Sequence, residues 1–149
     1  MPRIRVRTRI AARPRDVWRA IEDVTSHVRW MEDAVAIRLT GGPTAGVGTT
    51  FECDTKVGPF RLLDRMEVTE WETRRAMGIR HAGLVTGSGR FTLRRRRGGT
   101  LFTWDERLRF PLWAGGAVGG AVAKPVLRRV WRRNLANLKA IVEGERQRL

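Results

Sequence analysis

The segment from Lys124 to Glu143 constrains the fold more than any other part of the chain. Its apolar residues recur at three- and four-residue spacing, which places them on one side of an α-helix. They are Leu127, Trp131, Leu135, Leu138 and Val142. A helix of about twenty residues is roughly 30 Å long, and an apolar stripe of that length must be buried against a broad surface. The rest of the chain is expected to supply that surface as a β-sheet.

A proline near the start of this helix predicts where the helix begins. Pro125 suits the first helical turn, because the N–H that it lacks would be unbonded there anyway. Lys124, which precedes it, is steered away from helical geometry. The glycine-rich stretch from Leu112 to Ala123 is therefore expected to be a loop or a separate weak helix joined at a kink. With Trp113 at its start, this stretch is also a candidate cover for a cavity mouth.

Alternating apolar and polar residues predict strands over much of the remaining chain. These segments are Arg3 to Ile10, Ala34 to Leu39, Thr49 to Thr55, Phe60 to Trp71, Arg75 to His81, Arg90 to Arg97 and Leu101 to Phe110. Gly83 to Gly89 is expected to be a flexible connection, and Gly98–Gly99 a tight hairpin turn.

Two short helices are expected between the first two strands. One starts at Pro14 and ends near Asp23, and the second runs from Thr25 to Met31 with Thr25 or Ser26 as its cap. Short turns between consecutive strands require antiparallel pairing. The order predicts a single α+β domain over residues 1–149, with helices on one face of the sheet.

Composition narrows the functional classes. A single cysteine, Cys53, excludes an internal disulfide framework, and no apolar run approaches the length of a membrane span. A cytoplasmic protein is therefore expected. The net charge of +15 favours polyanionic partners, but the arginines are scattered over the chain. Binding of RNA or another polyanion through this surface is kept as a second alternative, behind a solvated basic surface.

The order of elements resembles the helix-grip fold of the SRPBCC (START/Bet v 1-like) superfamily, particularly its polyketide cyclase/dehydrase-like branch. The residues that carry the resemblance lie along the whole chain. They are Pro14, Val17, Trp18, Ile21, Asp23, Trp30, Val47-Gly48-Thr49, Val68, Glu70, Gly99-Thr100, Leu138-Lys139 and Glu143. The resemblance implies a curved antiparallel sheet of about seven strands wrapped around the long C-terminal helix. It also implies a cavity that holds an apolar or amphipathic small molecule.

Polar side chains on otherwise apolar strand faces are the candidates for chemistry. Alternation places Asp64, His81 and Glu106 inward, and Glu106 is the clearest case because Trp104 and Leu108 flank it on the same face. A buried carboxyl group has a raised pKa and can act as a general acid or base, and a histidine can shuttle a proton. Asp64 or Glu106 could instead pair with an arginine, and a satisfied polar or solvent-facing side chain is the alternative for each of the three.

Apolar and aromatic residues on the inward faces are the candidates for ligand contact. The predicted ligand-binding residues are Trp30, Phe51, Cys53, Met66, Ile79, Phe91, Trp104 and Trp131. Two distant histidines and one cysteine make no recognisable zinc cluster, and no phosphate-binding loop or hydrolase triad is present in the pattern. Neither a metal nor a cofactor is expected.

These observations favour a protein that binds a small hydrophobic or amphipathic molecule, lipid-like or polyketide-like, in an internal cavity. The alternative is a polyketide aromatase/cyclase or dehydratase that uses Glu106, Asp64 or His81. Convergence of these residues on one cavity wall would favour it. The small ligand is the expected partner, nucleic acid is disfavoured, and a homodimer is left open.

Overall fold

The structure, a computed structural model, describes residues 3–147. Within these residues one antiparallel sheet of seven strands has the order β1-β7-β6-β5-β4-β3-β2. The strands are β1 (Arg3–Ile10), β2 (Ala34–Leu39), β3 (Thr50–Val57), β4 (Phe60–Glu72), β5 (Ala76–Ala82), β6 (Thr86–Arg96) and β7 (Gly99–Arg109). The sheet curves around the C-terminal helix, and the predicted α+β helix-grip class is confirmed.

Two short helical segments follow β1, as the sequence predicts. Helix α1 (Pro14–Ile21) buries Val17, Trp18 and Ile21, and a 3₁₀ helix follows at Val24–Arg29. The predicted cap, Thr25 or Ser26, is wrong. Asp23 caps the 3₁₀ helix, because its Oδ1 accepts a hydrogen bond from the backbone N–H of Thr25 at 3.0 Å.

The C-terminal helix, α2 (Gly116–Gln147), begins well before the predicted start at Lys124. Leu112–Ala114 forms a separate 3₁₀ turn, and Pro125 lies inside α2 rather than in its first turn. A proline within a helix leaves the carbonyl four residues earlier without its N–H partner. That residue, Ala121, is exposed, so solvent reaches this turn of the helix.

The two halves of α2 differ in burial. Trp131, Leu135, Leu138 and Val142 are buried against the sheet, as the apolar stripe predicts. In the first half the apolar residues Val118, Val122 and Val126 are more than half exposed. None of the helices within residues 3–147 is long and apolar enough to cross a membrane.

Three details of the strand predictions need correction. Phe60, expected to face inward, is 74% exposed, because it lies at the hairpin tip where β4 begins. The expected flexible connection at Gly83 to Gly89 is shorter than predicted, because β6 starts at Thr86 and its glycines pair with β7. The turn between β6 and β7 lies at Arg97–Gly98, one residue before the predicted one.

Candidate functional site

A cavity of about 140 Å³ lies between the inner face of the sheet and helix α2. Most of its wall is apolar or aromatic, and α2 contributes Leu127 and Trp131. The predicted ligand-binding residues that line it are Phe51, Cys53, Met66, Ile79, Phe91, Trp104 and Trp131. Asp64, His81 and Glu106 line it as well. Ten of the eleven residues predicted to be catalytic or to contact a ligand therefore lie in this wall.

Trp30 and Trp113 lie elsewhere than the sequence predicts. Trp30 is 2% exposed and is not among the lining residues, because it packs behind the wall. Its ring centroid is 5.8 Å from that of Phe91 and 6.0 Å from that of Trp104. Trp113 is 77% exposed and does not line the cavity. Trp30 thus supports the cavity wall from behind.

The three candidate catalytic residues form one hydrogen-bonded chain. Nδ1 of His81 is 2.9 Å from Oδ2 of Asp64, and its Nε2 is 3.1 Å from Oε2 of Glu106. The other Glu106 oxygen, Oε1, accepts a hydrogen bond of 3.0 Å from the indole N–H of Trp104. Both imidazole nitrogens therefore face carboxylate oxygens, and an imidazolium donates to both.

The charge state of His81 follows from these neighbours. Burial by itself lowers the pKa of the imidazole, because it disfavours the charged form. The negative charge of Glu106 and the hydrogen bonds that His81 donates to Asp64 and Glu106 outweigh burial and raise the pKa of His81 to about 10. At neutral pH the chain consists of a cation held between two carboxylates.

A glycine in β6, Gly89, makes this chain possible. His81 lies on β5 and Glu106 on β7, with β6 between them, so the two backbones are about 9–10 Å apart. Gly87 pairs with His81, and Gly89 pairs with Glu106. A Cβ atom at Gly89 would lie 2.5 Å from Oε1 of Glu106. The missing side chain at Gly89 leaves the space in which the His81 and Glu106 side chains meet across the strand.

Asp64 retains an unused acceptor. Its Oδ2 faces His81, but its Oδ1 is buried and has no hydrogen-bond partner among the described residues. Buried polar atoms are nearly always hydrogen-bonded, since an unpaired one costs about 1–3 kcal/mol. Oδ1 itself is covered, but Asp64 lines the cavity, so a rotation of its carboxyl group would present the unpaired acceptor to a molecule there.

Sequence reasoning missed two ionisable residues of the cavity wall, Asp33 and His27. Asp33 precedes β2, and its Oδ1 accepts a 2.7 Å hydrogen bond from the side-chain amide of Asn134 on α2. Burial raises the pKa of Asp33, and the charge of Glu106 adds to the effect. Because Asp33 lies outside the regular strands, alternation could not assign its direction.

His27 belongs to the 3₁₀ helix and differs from His81 in its partners. Its Nε2 lies 2.7 Å from the carbonyl oxygen of Ile21, to which a neutral imidazole donates. Its ring packs against Trp30 and Phe91, with centroid distances of 5.2 and 5.8 Å. Burial lowers the pKa of His27 to about 4. His27 is therefore a neutral member of the wall.

Cys53 adds little nucleophilic chemistry to the cavity wall. Burial raises the pKa of its thiol to about 11, so the nucleophilic thiolate is scarce at neutral pH. Within residues 3–147, no three His, Cys, Asp or Glu side chains are arranged to hold a metal ion. The arrangement can exchange protons through carboxylates and can hold a hydrogen-bond donor.

Seven antiparallel strands wrapped around a long terminal helix, with a cavity between them, define a helix-grip protein. Within that class the chain belongs to the family described as polyketide cyclase/dehydrase and lipid transport, whose model matches residues 1–143. The resemblance inferred from the sequence is thereby confirmed. No curated protein matches the chain.

Several solved structures share the fold at low sequence identity. Protein TTHA0849 from Thermus thermophilus is 15% identical with a TM-score of 0.81, over 97% of this chain and 99% of that one. XoxI from Bacillus cereus is 15% identical with a TM-score of 0.75, over 95% and 96% of the two chains. The Zhui aromatase/cyclase from a Streptomyces species is 18% identical with a TM-score of 0.69, over 99% and 94%. These likenesses establish the fold alone.

Proposed function

We propose that the cavity binds a small hydrophobic or amphipathic molecule whose buried part is about the size of one aromatic ring. The cavity itself carries this proposal, since its volume of about 140 Å³ is close to that of an apolar protein cavity that holds benzene. Mostly apolar walls with a few convergent polar groups are typical of ligand sites. A longer lipid-like or polyketide-like chain would extend through the cavity mouth.

Filling the cavity tests this function. Ala34 lines the cavity and is 7% exposed, whereas Ala36 on the same strand does not line it. Toluene should raise the melting temperature of the wild type and of Ala36→Leu, and should have little effect on a folded Ala34→Leu variant, because leucine occupies the space. Equal stabilisation of all three proteins by toluene would contradict binding in this cavity.

The second candidate function is acid–base catalysis of the cyclase or dehydratase type. The observation that favours it is the convergence of Asp64, His81 and Glu106 on one cavity wall. Since the imidazole nitrogens of His81 both face carboxylates, the carboxylates are the proton acceptors. A phenyl-substituted 1,3-diketone is a suitable probe, because its central C–H is acidic enough for deuterium exchange to be followed by NMR.

Glu106→Gln separates catalysis from binding. General acid–base catalysis contributes about 10²–10⁴-fold, so the variant should lose enzyme-promoted exchange of the diketone by at least about 10²-fold while it still binds toluene. Exchange at the wild-type rate in Glu106→Gln would remove Glu106 from the mechanism. Loss of both exchange and toluene binding would indicate damage to the cavity instead.

A further inference from the structure

The cavity differs sharply from the surface in charge. The chain contains thirty Lys and Arg residues against fifteen Asp and Glu, yet none of the residues that line the cavity is Lys or Arg. The carboxylates on the outer face of the sheet are paired with arginines, as in Arg3–Asp105 and Arg90–Glu70. Inside the cavity no arginine is available to a carboxylate or to a negatively charged guest.

The groups inside the cavity leave an excess of negative charge. Asp64 and Glu106 contribute two carboxylates, and the His81 imidazolium balances one of them. His27 is neutral, and Asp33 adds a third acidic group to the same wall. An anionic head group placed here would face carboxylates at low local dielectric, which is strongly unfavourable.

The geometry also specifies what the guest must donate. Oδ1 of Asp64 is a buried acceptor without a partner among the described residues. An ammonium or hydroxyl group supplies the missing hydrogen, whereas a carboxylate or phosphate cannot. A hydrogen bond that involves a charged group should raise affinity by about 10- to 100-fold.

We propose that the cavity selects guests with a cationic or neutral hydrogen-bond donor next to a ring-sized apolar body, with Asp64 as the acceptor, and that it rejects anionic amphiphiles. The inference rests on the proposed binding function, whose ligand class it defines. Primary amines are the preferred guests, alcohols are intermediate, and carboxylic acids bind most weakly. A guest that binds to the positively charged surface instead would show the opposite order, because the surface attracts the carboxylate and repels the amine. The order of affinities therefore distinguishes cavity binding from surface binding.

Three compounds with the same phenyl ring test the proposal: 2-phenylethylamine, 2-phenylethanol and phenylacetate. Their affinities are measured by calorimetry at pH 7.5 and 0.15 M salt, where the field of the surface charges is screened beyond about 8 Å. The amine should bind at least about tenfold more tightly than phenylacetate, with the alcohol between them. Phenylacetate binding as tightly as the amine would overturn the proposal.

A matched pair of variants assigns the selectivity to Asp64. Asp64→Asn makes the Asp64–His81–Glu106 chain neutral and should bring the amine and phenylacetate affinities within about threefold of each other. Asp54→Asn makes the same change at an exposed carboxylate paired with Arg38 and should leave the order intact. If Asp64→Asn does not fold, Glu106→Gln makes the same change of charge. An unchanged order in folded Asp64→Asn would overturn the role of Asp64, and an unchanged order in Glu106→Gln would overturn the role of the negative charge of the cavity.

Toluene distinguishes failure of this inference from failure of the proposed function. If toluene binds in the cavity but the three compounds show no order by charge, only the selectivity is wrong. If neither toluene nor any of the three compounds binds, the binding function itself is wrong.

Discussion

His27 and His81 are the two histidines of the chain, and they line the same cavity at 2% and 9% exposure. His27 faces a backbone carbonyl and aromatic rings, and its pKa is lowered to about 4 by burial. Burial also disfavours the charged form of His81, but two carboxylates raise its pKa to about 10. One imidazole is neutral and the other is charged within a single cavity.

The comparison shows that the hydrogen-bond partners of a buried histidine, more than its degree of burial, decide whether its ring is charged. At His27 the hydrogen bond to Ile21 fixes a neutral ring that packs as part of the core. At His81 the ring holds together two carboxylates that would otherwise repel each other. The hydrogen-bonded chain of Asp64, His81 and Glu106 therefore depends on His81, and His27 contributes to the shape of the cavity.

The largest expected effect is that of His81→Gln. It leaves Asp64 and Glu106 buried without their cation, and the loss of one partner of a buried ion pair costs about 3–5 kcal/mol of unfolding free energy. His27→Gln keeps an N–H donor and loses ring contacts worth about 0.5–1.5 kcal/mol each. Urea denaturation at pH 7 measures both variants. Equal destabilisation would show that the two sites do not differ in charge.

The next effect is on the pH dependence of stability. The folded pKa of His81 is about 10 against an ordinary value of 6.5, so its stabilisation is complete below pH 6.5 and is lost as the pH rises toward 10. The folded pKa of His27 is about 4, so its contribution is complete above pH 6.5 and is lost as the pH falls toward 4. Each histidine accounts for a slope of up to about 1.4 kcal/mol per pH unit.

Urea midpoints between pH 4 and pH 10 check these slopes. His81→Gln should remove the loss of stability above pH 7, and His27→Gln should reduce the loss below pH 6. A wild-type protein whose stability stays constant from pH 7 to pH 10 would contradict the assignment of His81.

A smaller effect is expected when the space between β5 and β7 is filled. Gly89→Ala places a methyl group against the Glu106 carboxyl group, and overpacking costs about 1–3 kcal/mol. Glu106 then moves away from His81, so the pKa of His81 should fall below that of the wild type. Gly144→Ala on α2 has open space around it and is the matched control. An unchanged pKa of His81 in Gly89→Ala would show that Gly89 does not position Glu106.

The smallest effect on stability is expected for Asp64→Asn. The amide oxygen still accepts from His81, and one of two like charges is removed, so the free energy of unfolding should change by about 1 kcal/mol or less. The pKa of His81 should fall but remain above that of His27. A destabilisation as large as that of His81→Gln would show that the charge of Asp64 is needed to hold the chain together.

The sequence predicts the inward direction of Asp64, His81 and Glu106 because all three residues lie in regular strands. Alternation in β7 placed Glu106 between Trp104 and Leu108, and the same rule applied to Asp64 and His81. It could not find Asp33 or His27, because they lie outside the strands, Asp33 in a connection and His27 in the 3₁₀ helix. The sequence pattern also predicted a flexible connection at Gly87 and Gly89, which lie in β6. Glycine is as typical of a turn as of a close approach within a strand.

The helix start was mispredicted for a related reason. Pro125 is typical of a first turn, but the local preference of one residue does not exclude a helix on both sides of it. Trp30 was assigned to the cavity from its ring chemistry, whereas its depth behind Phe91 and Trp104 depends on tertiary packing.

Nitrogen-15 NMR of the two imidazole rings tests the central claim most directly. At pH 8 His81 should show two protonated ring nitrogens and His27 one, and addition of 2-phenylethylamine should shift the His81 resonances through its neighbour Asp64. His27→Gln assigns the spectrum, because His81 is then the remaining histidine. A neutral His81 at pH 8, with resonances that do not respond to the amine, would contradict a charged, guest-binding wall.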